Sequence, residues 1–175
     1  MNRRRVMARL ATTGTAIPLL ALMDLTTAPA AMAATAESSG YAEYRHRTLT
    51  ISTISRRASE LALTRANPQV QTFAKLELAE QITVEQVITN KINPSLLTLD
   101  AADSDALQHL ASLPSGSQFD QAYVAAEISG HQKLLGLQEG LISQEGLGSN
   151  SSHIAYFFRT FIHEHLQLLA QLQKS

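Results

Sequence analysis

The chain has 175 residues, with 14 Lys and Arg against 15 Asp and Glu, a formal charge of -1 at neutral pH and no cysteine. Near-neutral charge excludes the basic surplus on which nucleic-acid binding rests. Without cysteine there is no thiolate metal site, disulfide framework or catalytic thiol, so a folded state rests on packing and buried polar contacts alone.

In chain order, Met1 to Met7 includes Arg3, Arg4 and Arg5, and Leu10 to Leu25 is mostly apolar, softened by Thr12, Thr13, Gly14 and Thr15. Ala31-Met32-Ala33 supplies the small-x-small pattern of a cleavage site, so residues 1–33 read as a signal peptide cut before Ala34. The apolar stretch falls short of the roughly 20 residues a membrane span needs. The adjacent arginines also fit a twin-arginine export signal, and the general secretory route is the alternative. Removal of residues 1–33 leaves 142 residues with 10 Lys and Arg and 14 Asp and Glu. That is the size of one domain. The expected location is the bacterial periplasm or cell envelope.

Residues 34–40 read as a flexible leader and 41–175 as one helical domain. From Tyr41 to Ala66 no Pro or Gly interrupts a helical spacing of Tyr44, Ile51, Ile54, Ala58 and Leu61. Asn67-Pro68 then punctuates the chain, and Pro68 suits the first turn of a second helix running to about Ile92. A long connection over 94–117 holds a short helix, Asp103 to Ser112, which the Asp103-Ser104-Asp105 group can cap. The third long helix begins near Gln118 and passes Leu141. After the turn at 146–152, a fourth fills most of the remainder. Short links between the first two and the last two long helices make two antiparallel hairpins, which the long connection joins as a crossover. This predicts an all-α fold, a ferritin-like four-helix bundle, with an ordinary up-down bundle as the alternative.

Polar residues interrupt the predicted seams. The second helix reads Val70, Phe73, Glu77, Glu80 or Gln81, Val84, Val87; the third reads Tyr123, Glu127, His131, Leu134, Leu137, Leu141. The last reads Ile154, Phe158, Phe161, His165, Leu168, Leu172. Histidines stand where leucines are expected, and a buried imidazole needs a partner. Glu80, Glu127, His131 and His165 are the candidate metal ligands, with Glu77 and Tyr123 as inward polar neighbours. Carboxylate and imidazole from facing helices suit iron, manganese or zinc. A metal-free Glu-His-Tyr hydrogen-bond network that holds the helices in register is the first reading of the same residues. A single transition metal is the second, and a cleft for a protein or lipid partner the third. The sequence contains neither a nucleophile elbow nor a glycine-rich phosphate loop.

The run Leu110-Ala111-Ser112-Leu113 through Phe119-Asp120-Gln121-Ala122-Tyr123-Val124, followed by His131 and Glu164-His165-Leu166, resembles a family of exported bacterial proteins of unknown function with a ferritin-like bundle. Members are often labelled predicted outer membrane proteins. Asn67-Pro68-Gln69-Val70-Gln71-Thr72-Phe73-Ala74 resembles the family's start of its second helix. The resemblance covers nearly all of residues 34–175 and implies a ferritin-like envelope protein with no established activity. Family members commonly carry Asp-His where this chain has Glu80-Gln81 and again where it has Gly130-His131, and Leu-Pro where it has Arg159-Thr160. His131 and His165 match. The sequence therefore reads as a binding or structural envelope protein, with a metal-binding oxidase or oxidative-stress protein as the alternative. If the export reading is right, mass spectrometry of the protein recovered from a bacterial periplasm should find Ala34 as its first residue; a cell-associated chain that keeps its N-terminal segment would count against it.

Overall fold

Asn67 and Pro68 decide where the first two helices part. In a computed structural model that describes residues 27–89, 97–144 and 149–174, α1 spans Thr27–Arg65 and α2 spans Pro68–Thr89. The Asn67 side chain accepts from the backbone N–H groups of Gln69 at 2.9 Å and Val70 at 3.1 Å, and so caps α2. Pro68 takes the first helical position, where a backbone N–H would have no partner. Residues 34–40, expected as a leader, are helical and continuous with α1. Of the expected signal segment, residues 1–26 lie outside those described, as does the predicted end of α2 at Ile92.

The connection carries α3, Ala101–Ser112, which is capped by Asp100 through the Asp103 N–H at 2.8 Å. The cap thus lies just before the expected Asp103-Ser104-Asp105 group, and Asp103 falls in the first turn, where negative charge is favourable. Gly116, at φ +123°, makes the turn into α4, Ser117–Ile142. A residue with Cβ would be strained there. The last helix, α5, spans Ser149–Leu172.

Side-chain pairs fix the directions. Ser55 meets Glu77 and Arg45 meets the carbonyl of Ile88, so α1 and α2 run antiparallel; Ser59 meets Tyr123 and Tyr44 meets Gln138, so α1 and α4 do too. It follows that α2 and α4 are parallel, as a crossover connection requires. The buried apolar residues form two groups. One, around Ala62, Phe73, Phe119, Tyr123 and Leu169, lies at the end covered by α3; the other, around Tyr44, Leu49, Ile88, Leu141 and Ala155, lies at the opposite end. Between them is a layer of buried polar side chains.

Two predicted stripes are rotated. On α5 the buried positions are Ala155, Ile162, His165 and Leu169, while Leu168 is 40% exposed. On α2, Gln81, Glu85 and Ile88 are buried, Glu80 is only partly so, and Val87 is 46% exposed. On α1 the buried face is Tyr44 followed by the small side chains Thr48, Ser52, Ser55, Ser59, Ala62 and Ala66, which let α2 and α4 approach closely, while the expected Ile51, Ile54 and Leu61 are only partly buried. Because Phe119 is fully buried and stacks on Tyr123 at 6.4 Å, Phe119→Ala should cost about 3–5 kcal/mol in chemical denaturation, against under about 0.5 kcal/mol for Lys75→Ala on the exposed side of α2.

Candidate functional site: a buried Glu-His-His cluster

Four helices contribute to the polar layer. Ser55 comes from α1, Glu77 and Gln81 from adjacent turns of α2, Glu127 and His131 from adjacent turns of α4, and His165 from α5. Spacing of four residues places each α2 and α4 pair on one face. All of these side chains are buried, Glu77 completely.

Glu77 sits at the centre. Its Oε1 accepts from Ser55 Oγ at 2.6 Å and from Gln81 Nε2 at 2.6 Å. Its Oε2 lies 2.9 Å from His165 Nδ1 and 3.4 Å from His131 Nε2, yet neither ring N–H is aligned on it. The two ring nitrogens are instead hydrogen-bonded to each other at 3.1 Å. His131 Nδ1 donates to the Glu127 carbonyl at 2.8 Å, which leaves Nε2 as the ring's acceptor. On the far side of His165, Nε2 faces a Glu80 carboxylate oxygen at 3.3 Å. Three potential ligand atoms, from Glu77, His131 and His165, therefore converge on one point.

The Ser55 hydroxyl decides a proton. Its Oγ lies 2.6 Å from Glu77 Oε1 and 2.8 Å from Glu127 Oε2, but a hydroxyl has one hydrogen. Both contacts are favourable only if one carboxyl is protonated. Burial first, then the charge of Glu77, push Glu127 well above the usual carboxylate range, so Glu127 keeps the proton. Burial alone would also raise Glu77, but the two imidazoles beside Oε2 and the Ser55 hydroxyl outweigh it and hold Glu77 ionised, well below that range. Burial would lower His165, yet Glu77 and Glu80 on its two sides overcome this and push it up to about 10. The resting layer is a buried imidazolium between two carboxylates, beside a neutral carboxylic acid.

Of the residues singled out in the sequence, Glu77, Glu127, His131 and His165 are brought together. Glu80 touches only the outer nitrogen of His165, and its side chain is 37% exposed. The Glu127 carboxylate is 3.7 Å from His131 Nδ1, the nitrogen turned away from the convergence point. Tyr123 is buried one turn from Glu127 but bonds Ser59 at 2.9 Å. Ser55 was not among the sequence candidates, and Gln81 entered only as an alternative to Glu80. His46, His109, His153 and His163 are exposed, and the Glu43-x-x-His46 spacing on α1 points to solvent at both residues.

The pKa directions dictate a pH response. A group raised on folding contributes stability below its unfolded value and loses it as pH climbs through the folded value. For His165 that window runs from about 6.5 to about 10, and the raised Glu127 acts in the same sense. Glu77, lowered on folding, contributes above its unfolded value of 4.5 and loses that contribution as pH falls below it. With chelator present, Tm should fall steadily from pH 6.5 to 10. Glu77→Gln should flatten that slope, because it removes the charge that raises both groups; an unchanged slope would refute the assignment.

The comparisons reach the level of family only. No curated protein and no solved structure matches the chain. A family description, domain of unknown function (DUF4142), matches residues 26–173, which covers all five helices from α1 to α5. The chain belongs to the DUF4142 family.

Proposed function

We propose that this chain is a ferritin-like helical protein of the bacterial envelope that binds one first-row transition metal ion through Glu77, His131 and His165. A single observation carries the reading. Glu77 Oε2, His131 Nε2 and His165 Nδ1 lie 2.9, 3.1 and 3.4 Å apart, and the oxygen is fully buried with no hydrogen bond aligned on it. Donors at about 2.0–2.1 Å from a tetrahedral ion are separated by about 3.3 Å. A cation there would satisfy the orphaned oxygen and replace the proton shared by the rings.

The outer contacts suit the same role. His131 is oriented by a backbone carbonyl and His165 faces a carboxylate, which are the partners that fix the tautomer and basicity of ligand histidines. Two imidazoles and one carboxylate are a borderline donor set that accepts zinc, manganese or iron. Such an ion would supply Lewis acidity, or redox chemistry if iron or manganese. The residues around it do not supply the extra bridging carboxylates of a two-metal centre, since Glu127 is turned toward Ser55 and Glu80 to the outside of His165. This favours a binding protein over an oxidase. The parallel α2 and α4 support the ferritin-like topology, and the N-terminal Arg-rich and apolar segment supports the envelope setting.

The test is titration of chelator-treated protein with Zn²⁺ or Mn²⁺ by calorimetry. One equivalent should bind, with Tm rising alongside, and His131→Ala/His165→Ala should bind none while keeping the helical circular dichroism signal. Glu80→Gln should weaken binding about 10- to 100-fold. Failure to take up either ion, or equal uptake by the double variant, would overturn the reading.

A further inference from the structure

Beside the His pair, α2 and α5 touch only sparsely, and the gap between them and α4 is a cavity of about 300 Å³. Its walls are Val84, Leu134, Phe157, Phe158, Phe161 and Ile162, and its inner end is formed by His131, His165, Gln81 and Gln138. That volume is at the lower bound of small-molecule sites, which pair apolar walls with a few placed polar groups.

The two glutamines are the informative part. Gln138 is fully buried and its Oε1 accepts from the Tyr44 hydroxyl at 2.8 Å, which turns its Nε2 the other way. Gln81 is 4% exposed and its Nε2 donates to Glu77 at 2.6 Å, which turns its Oε1 the other way. Both remaining atoms, the Gln138 donor and the Gln81 acceptor, are buried without a hydrogen-bond partner, as is the Thr48 hydroxyl, and all three residues line the cavity. A buried unpaired polar atom is costly, so a cavity lined by residues with an unpaired amide donor and an unpaired amide acceptor is matched to a group that is both. A hydroxyl is the smallest such group. Ionised heads fit poorly: a carboxylate has no hydrogen to offer the Gln81 oxygen, and an ammonium has no lone pair to offer the Gln138 N–H.

We propose that this cavity binds a small neutral apolar alcohol or phenol, its hydroxyl between Gln81 and Gln138 and its body among the phenylalanines of α5. Phe157, 63% exposed and edge-on to Phe161 at 4.7 Å, stands at the entrance, where it can cover the ligand. The proposal does not depend on the metal reading.

The experiment uses chelator-treated full chain, so that its failure and that of the metal reading are separable. Binding of 1-octanol is followed by NMR chemical shifts of the α5 amides and compared with 1-methoxyheptane, octanoate and octylamine. Octanol should bind in one site, and the ether, which accepts but cannot donate, about three- to tenfold more weakly. Octanoate and octylamine should be weaker still. Gln138→Met should abolish the preference for alcohol over ether, and Leu134→Trp, which fills the cavity, should abolish binding; if the bulky variant fails to fold, Gln138→Met decides. Equal binding of alcohol and ether by the native chain would reduce the cavity to a greasy groove and overturn the proposal. So would absence of octanol binding, or concentration-dependent dimerisation lost in Phe157→Ser, which would give the cleft to a second copy of the chain.

Discussion

A fully buried carboxylate at the centre of a helical core is the constraint on which the rest of the structure depends. Glu77 cannot remain ionised there unless charge and hydrogen bonds reach it from several directions. Ser55 from α1 and Gln81 from its own helix supply the hydrogen bonds, and His165 from α5, itself held by His131 of α4, supplies the charge. Because each donor has a short reach, the demand of one side chain fixes the height of all four long helices relative to one another. The apolar groups at either end can tolerate small sliding. The polar layer cannot.

The layer also explains the small residues of α1. Serine at position 55 bridges two carboxyls only if the α1 backbone comes close to both α2 and α4. Thr48, Ser52, Ser59 and Ala62, all buried, keep that approach open above and below it. Further out, Arg56 ties α1 to Glu85 on α2 at 3.0 Å, and Arg45 donates to the carbonyls of Ile88 at 2.8 Å and Thr89 at 3.1 Å. The basic residues of α1 thus partly serve to hold its partner helix, and Arg65 does the same for the carbonyls that end α3.

How much of this is legible in the sequence follows from what periodicity measures. Apolar contrast locates the helices, because Phe73, Leu134, Ile162 and their neighbours recur at helical spacing, and Asn67-Pro68 marks a boundary on chemical grounds. The same contrast makes Glu77, Glu127, His131 and His165 conspicuous, since each interrupts an apolar run. It is blind to Ser55, because α1 buries Ser, Thr and Ala and shows almost no difference between its faces. It also misjudges rotation by one position: Leu168 and Val87 read as inward but are exposed, while Leu169 and Ile88 are buried, because neighbouring leucines or valines offer the stripe two equivalent paths. The choice between Glu80 and Gln81 is the same ambiguity, and the structure resolves it by placing the amide against Glu77.

One exposed contact has a reach its modest strength conceals. Asp120, in the first turn of α4, accepts from the Asn67 backbone at 3.1 Å and side chain at 2.8 Å, across 53 residues. In an up-down arrangement the start of α4 would stand at the far end of α2 from Asn67, and this pair could never form. The contact is thus available to only one threading of the chain. Asp120 contributes little to how firmly the helices are held, but it discriminates between two ways of wiring them, a preference for one connectivity over another written in a single surface carboxylate.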